Sequence, residues 1–197
     1  MDTHALSWVA TLGLAMGAAW VSGLRLYATV ATLGWLAKLH LVQHPGNLDV
    51  LADPWVVGVA TALFVVEFFA DKIQGLDNVW HVVHTFLSVP AGAVLASTAF
   101  AKHEPWVVAI AFLIGGGAAL AAHSGKTTAR AFVSMSPEPV SNAVTSLAED
   151  AVAPVVLASA IWIPILAILF VIGASVAAFL ISRKLLIKLR QRRAEAV

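Results

Sequence analysis

Long apolar runs separated by short polar segments dominate this chain and predict membrane-spanning helices. The first run extends from residue 5 to 39 and is interrupted near its middle by Ser22-Gly23-Leu24-Arg25. One span through a bilayer needs about 20 apolar residues. The first run therefore predicts a helix that is long, kinked or discontinuous.

Prolines and polar breaks divide the rest of the chain. The predicted boundaries are 54–71 for the second span, 80–101 for the third with a bend at Pro90, 105 to between 122 and 135 for the fourth, and 152–181 for the last, with Pro154 near its start and Pro164 inside it. The segment Ser136-Pro137-Glu138-Pro139 breaks the pattern, and residues 140–150 mix polar and apolar positions. They predict a short interfacial or re-entrant helix.

These elements predict an all-α, polytopic transmembrane bundle of about five to six spans. We expect one transmembrane domain over residues 1–182 and a basic tail over 183–197. A shift of about 100 residues brings Ser22-Gly23 onto Ser124-Gly125 and Pro54 close to Pro154. This match suggests repeat halves at 5–101 and 105–182, inverted in the membrane and each with a broken helix; chance similarity of Ala- and Gly-rich segments explains it equally well.

Composition supports the membrane interpretation and narrows the chemistry. Hydrophobic residues make up 60% of the chain and charged residues 12%, against about 25% charged in soluble domains. The chain has no cysteine, which excludes disulfides and thiolate metal sites.

Basic residues predict the orientation. Six of the twelve lysines and arginines lie between Arg183 and Arg193, which places the tail in the cytoplasm of a cell with an inner membrane. With five spans, Lys38 and Lys102 would share the cytoplasmic side, and the N-terminus would lie outside together with Lys72, Lys126 and Arg130.

Charged and imidazole side chains inside the apolar runs are the candidate functional residues, because an ionisable group at membrane depth is costly and often marks a transport path. Glu67 and Asp71 share one helix face, and His81 and His84 share another. Carboxylates and imidazoles together could hold a divalent metal or relay protons. The alternative is that Asp71 is a solvated helix end and the two histidines only pack.

Arg25 carries a permanent charge inside the first run and needs a partner, for which Glu67 is the obvious candidate. Opposite it we expect the charges of the second half. The predicted path for an ion or substrate comprises Arg25, Glu67, Asp71, Lys126, Arg130, Glu149 and Asp150. The competing interpretation is that these charges are paired and only fix helix packing.

Ser124-Gly125-Lys126-Thr127-Thr128 resembles the end of a phosphate-binding loop, but the glycines at 115–117 lie too far upstream and no soluble strand precedes them. We therefore expect no nucleotide cofactor. We also expect no enzymatic activity, because no nucleophile, base and orienting group stand at a recognisable spacing. The basic tail is explained by topology and anionic lipid, without nucleic acid.

Two longer motifs carry a family resemblance. The first is the run from Glu67 through Asp71-Lys72 and Trp80-His81 to His84, followed by Pro90-Ala91-Gly92-Ala93, and the second is Ser136-Pro137-Glu138-Pro139 with Glu149-Asp150. Over nearly the whole length, the chain resembles the bacterial membrane family catalogued as domain of unknown function 4126. The resemblance implies a multi-span membrane protein and supplies no substrate, cofactor or catalytic residue.

The sequence thus predicts an inner-membrane transporter or channel for a small ion or polar solute. The alternative is a membrane scaffold or lipid-binding subunit with structurally paired buried charges. Membrane lipids are the expected partners in both cases. Small residues such as Gly115 to Gly117 would also permit a homo-oligomer.

Overall fold

The computed structural model describes residues 3–41, 47–70, 76–133 and 139–195. The predicted all-α fold is confirmed over these residues, which contain no strand. The helices are α1 (Thr3–Lys38), α2 (Pro54–Ala70), α3 (Leu76–Ala99), α4 (Pro105–Val133), α5 (Pro139–Trp162) and α6 (Pro164–Glu195), with a 3₁₀ turn at Leu48–Ala52.

Proline sets the start of most helices, because its missing N–H is not needed in the first helical turn. Pro54 and Pro105 open α2 and α4 as the sequence predicts. Asp53 also caps α2, since its Oδ1 accepts the N–H of Trp55 at 2.8 Å. Pro90 lies inside α3, which continues through it.

The last third of the chain differs from the sequence prediction. Residues 140–150 are the first half of α5 and not a short interfacial helix, while Pro154 lies inside α5 and Pro164 opens α6. Ile163 separates the two helices because the residue before a proline is disfavoured in the helical conformation. Pro154 is tolerated because membrane helices re-satisfy freed backbone groups through neighbouring side chains and helices.

The first helix bends sharply at Arg25, whose backbone angles (φ −144°, ψ 78°) are not helical. A straight helix would hold Trp8 about 39 Å from Gly34. Instead, the centre of the Trp8 ring lies 5.8 Å from the centre of the Phe100 ring, at the end of α3. Gly34 packs against the 3₁₀ turn. That turn lies at the same end of α3, because the backbone N–H of Asn47, just before the turn, donates a hydrogen bond to the Thr98 carbonyl. The first arm (3–24) and second arm (26–38) therefore lean back toward the same end of the bundle.

Small residues bring the first arm, α3 and α4 into backbone contact. A Cβ added to Gly23 would collide with the Ala119 carbonyl, and one added to Gly115 would collide with Ala96. Gly92 lies between the other two helices, close to both Ala19 and Ala119. Such close approach is a common way for membrane helices to associate.

Two features of the predicted inverted repeat are not observed. The fourth helix is continuous from Pro105 to Val133, so the expected break at Gly125 is wrong. The first arm and α4 also run in the same direction, since residue 19 lies beside 115 and residue 23 beside 119. An inverted pair would run in opposite directions.

Among the described residues, four helical stretches are long and apolar enough to cross a membrane: Ala5–Lys38, Pro105–Arg130, Val144–Trp162 and Pro164–Leu185. Two shorter apolar stretches cover Pro54–Phe69 and Phe86–Ala99. The chain is a membrane protein of the predicted class. Only 11% of the most apolar window of α6 is buried, which suits a helix solvated by lipid.

The bundle has two distinct ends. Thr128 of α4 bonds to Ser182 of α6 at 2.9 Å, so the tail leaves where α4 finishes; we call this the tail end. The connection between α3 and α4 marks the other, hairpin end. Lys38 and Lys102 lie at the hairpin end, so the expectation that they share a side with the tail is wrong. The sides were assigned by counting five spans along the sequence. That count is wrong because α1 reverses its direction at Arg25 and because α5 and α6 are separate helices.

Candidate functional site

A cluster of buried charges lies at the bend of α1, and Arg25 is its centre. The Arg25 side chain is fully buried. Because the backbone is not helical there, the guanidinium leaves the bend between the two arms and reaches α2 and α5. Thr29 stabilises the second arm by donating its hydroxyl to the Arg25 carbonyl at 2.8 Å.

Arg25 has partners on two helices. Its Nη2 lies 2.9 Å from Asp150 Oδ1 and donates a 2.8 Å hydrogen bond to Ser146 Oγ, both on α5. Longer ion pairs join Nη2 to Glu149 Oε2 at 3.7 Å and Nη1 to Glu67 Oε1 on α2 at 3.8 Å. The predicted pairing of Arg25 with Glu67 is present, but the shorter contacts are with α5.

Glu149 is shared by two further cations. Its Oε2 lies 3.1 Å from Lys126 Nζ and 3.5 Å from Arg130 Nη2, both on α4. Lys126 also donates a 2.8 Å hydrogen bond to the carbonyl of Leu24, the last residue before the bend. The same lysine therefore neutralises an acid and caps the interrupted helix.

Two buried histidines extend the cluster. His84 Nδ1 lies 3.5 Å from Glu67 Oε1, and the His84 ring is 6.4 Å from that of His123 and 6.1 Å from that of Tyr27. His123 is not among the predicted path residues. Its position directly before the polar segment Ser124-Gly125-Lys126, at the end of an apolar run, could have identified it as a candidate. Ser146 was also missed, and nothing in its local sequence marks it.

Among the described residues, the formal charges in this cluster balance. Arg25, Lys126 and Arg130 oppose Glu67, Glu149 and Asp150 when the histidines are neutral. Burying so many ions is expensive, and each depends on close partners. A balanced cluster can hold helices together, and it can also exchange one internal partner for an ion from outside.

Two cavities reach the cluster through neighbouring residues of α5. A cavity of about 180 Å³ between the second arm, α2 and α5 is bounded by Arg25, Asp150 and the rings of Phe64 and Phe68. A crevice of about 420 Å³ between the first arm, α4, α5 and α6 is lined by Lys126 and Glu149 among others. Consecutive residues point about 100° apart on a helix, so Glu149 faces the crevice and Asp150 faces the smaller cavity.

The structure thus brings together all but one of the predicted path residues. They are Arg25, Glu67, Lys126, Arg130, Glu149 and Asp150. Asp71 and the side chain of His81 lie outside the described residues. Within the described ranges, no group of three or more His, Asp or Glu side chains is arranged to hold a metal ion.

Comparisons with known proteins give a family and no functional precedent. No curated protein and no solved structure matches the chain. The model of a family described as a domain of unknown function (DUF4126) matches residues 12–184, and the chain belongs to this family.

Proposed function

We propose that this membrane protein carries a small ion or polar solute through the buried charge cluster. The observation that carries the proposal is the position of Arg25 between two acids that face separate cavities. It lies 2.9 Å from Asp150 and 3.7 Å from Glu149. A shift of less than 1 Å in the guanidinium would strengthen one pair at the expense of the other.

Such an exchange would couple the cavities. An ion that binds Asp150 in the smaller cavity competes with Arg25, which then turns toward Glu149 and weakens its pairs with Lys126 and Arg130. Electrostatic coupling over these distances is strong because little water screens it. The cavity of about 180 Å³ favours a small solute.

The second candidate is a membrane scaffold or lipid-binding subunit in which the charges are structural. It is favoured by the formal balance of three acids and three bases within the part of the cluster that the structure describes. A cluster that serves only packing has no reason to change partners. The two candidates differ in what happens when one acid becomes neutral.

The test is flux in proteoliposomes, with K⁺, Na⁺, Cl⁻ and protons as separate probes. The variants are Asp150→Asn and Glu149→Gln, and the control is Glu104→Gln at the exposed hairpin end. Transport predicts flux of at least one probe in the wild type and in the control, and loss of that flux in a folded Asp150→Asn protein. A wild type without flux for any probe would oppose ion transport, and a lower melting temperature of Asp150→Asn would then favour the scaffold.

A further inference from the structure

Two buried imidazoles lie beside the charge cluster, and the exchange of partners by Arg25 does not use them. His84 on α3 is 3% exposed and His123 on α4 is 5% exposed. Histidine is the side chain whose charge changes most readily near neutral pH. Ionisable groups at membrane depth are costly, and those that are present commonly form ion or proton paths. The pair therefore calls for a role of its own.

The packing of α3 against α4 sets the separation of the two rings. The helices run in opposite directions on either side of the hairpin connection, and Gly92 packs close to Ala119. The same register brings His84 near the turn of α4 that carries His123. The ring centres are 6.4 Å apart, with planes inclined by 31°. One water molecule between the rings would complete a hydrogen-bonded path from one to the other.

Glu67 joins the imidazoles to Arg25 through a single oxygen atom. Its Oε1 lies 3.5 Å from His84 Nδ1 and 3.8 Å from Arg25 Nη1. Hydrogen bonds between ionised groups are about twice as strong as those between neutral ones. When His84 takes up a proton, its pair with Glu67 therefore strengthens and competes with that of Arg25. Loss of the proton reverses the competition.

This competition reaches both cavities. The guanidinium of Arg25 that Glu67 holds less firmly is free to move closer to the acids of α5, where Asp150 lies at 2.9 Å and Glu149 at 3.7 Å. Asp150 lines the smaller cavity and Glu149 lines the crevice. A proton on His84 thus biases the same guanidinium whose exchange underlies the proposed function.

Three further charged or titratable groups are described around the two rings. Arg25 shares Glu67 with His84, the centre of the Tyr27 ring lies 6.1 Å from that of His84, and Lys126 follows His123 by one turn of α4. Arginine keeps its proton at all pH values, and tyrosine and lysine ordinarily exchange protons only well above neutral pH. The imidazoles are therefore the bases in this group that are suited to proton exchange.

We infer that the ion moved through the cluster is the proton, and that His84 and His123 carry it. A ring nitrogen of neutral His84 accepts a proton from hydronium, which becomes water, and Glu67 stabilises the imidazolium. The imidazolium then passes a proton through the bridging water to a ring nitrogen of His123 and becomes neutral again. His123 releases its proton to water, so both rings end as they began. The inference rests on the proposed function and names its ion.

Proton flux into proteoliposomes that contain the dye pyranine tests the inference, with K⁺ and valinomycin setting the membrane potential. The variants are His84→Gln and His123→Gln, and the control is His40→Gln at an exposed position just after α1. A positioned proton-transfer group contributes about 100-fold or more to a reaction rate, so we expect flux to fall at least about tenfold in both variants and to stay unchanged in the control. A melting measurement confirms that each variant is folded, and an asparagine variant replaces any that is not.

The other outcomes separate this inference from the proposed function. Unchanged proton flux in folded His84→Gln and His123→Gln would overturn the inference, as would flux of K⁺, Na⁺ or Cl⁻ through a wild type that does not pass protons. The proposed function would stand in both cases. A wild type without flux for any probe would overturn both. Stoichiometric binding of Zn²⁺ that is lost in His84→Gln would assign the rings to a metal and overturn the inference.

Discussion

Lys126 donates a 2.8 Å hydrogen bond to the carbonyl of Leu24, the residue directly before the bend in α1. The two residues are far apart in sequence, and the bond joins α4 to the point where α1 stops being regular. An interrupted helix leaves carbonyls without helical donors, and an unsatisfied carbonyl inside a membrane costs several kcal/mol. The charge cluster and the bend of α1 therefore support each other.

Replacement of this lysine should destabilise the fold. In Lys126→Met, the Leu24 carbonyl loses its donor and Glu149 loses its nearest cation, so we expect a loss of about 3–5 kcal/mol, the range for breaking a buried pair. Thermal unfolding in detergent measures it. Lys102→Met, at an exposed position on the hairpin end, is the control and should lower stability by less than about 0.5 kcal/mol. Equal melting temperatures for the two variants would contradict the role given to Lys126.

Arg25 and Asp150 should be energetically coupled. Arg25→Gln leaves Asp150 without its 2.9 Å partner, whereas the double variant Arg25→Gln, Asp150→Asn removes both charges. We expect the double variant to be more stable than the sum of the two single effects predicts, by about 0.5–3 kcal/mol. Additive effects in this cycle would show that the short contact contributes little.

Two glycines in different helices, one packed and one in open space, offer a test of the helix packing. A methyl group at Gly23 would collide with the Ala119 carbonyl, while at Gly117 no atom of another described segment lies within 4 Å of the added carbon. Gly23→Ala should therefore cost about 1–3 kcal/mol through overpacking. Gly117→Ala should be neutral or slightly stabilising, because alanine favours a helix over glycine. Reversed effects in thermal unfolding would refute the observed contact between the first arm and α4.

The absence of native cysteine allows a direct test of topology. Lys102→Cys and Arg183→Cys place single thiols at the hairpin end and the tail end. A membrane-impermeant maleimide should label Lys102→Cys from outside intact cells, and should reach Arg183→Cys only after the membrane is opened. Labelling of both from the same side would contradict the arrangement of the helices.

Local features predict much of the fold. Apolar runs of sufficient length and prolines at helix starts are enough to predict the helical class, the first three spans and the start of the fourth. The interruption at Arg25 was visible for the same reason. The boundary between α5 and α6 was missed because Pro154 and Pro164 look alike in sequence. Only packing shows that one lies within a helix and the other opens one.

Most of the charge cluster was also predictable, since buried ions in an apolar chain must find one another. The partners were harder to assign. Glu67 was the expected partner of Arg25, yet Asp150 and Ser146 are closer. That preference follows from how sharply α1 bends, which no local pattern encodes. His123 entered the cluster through the same tertiary arrangement.

The glycine contacts among the first arm, α3 and α4 have a mechanical consequence. Helices that touch backbone to backbone at Gly23, Gly92 and Gly115 leave no side-chain layer that could shear. These three segments are thus expected to move as one rigid body. Any opening of the cluster would have to come from α2 or from rotation of α5 and α6 about Ile163, so the hinge would lie at the far end of α5 from its paired acids.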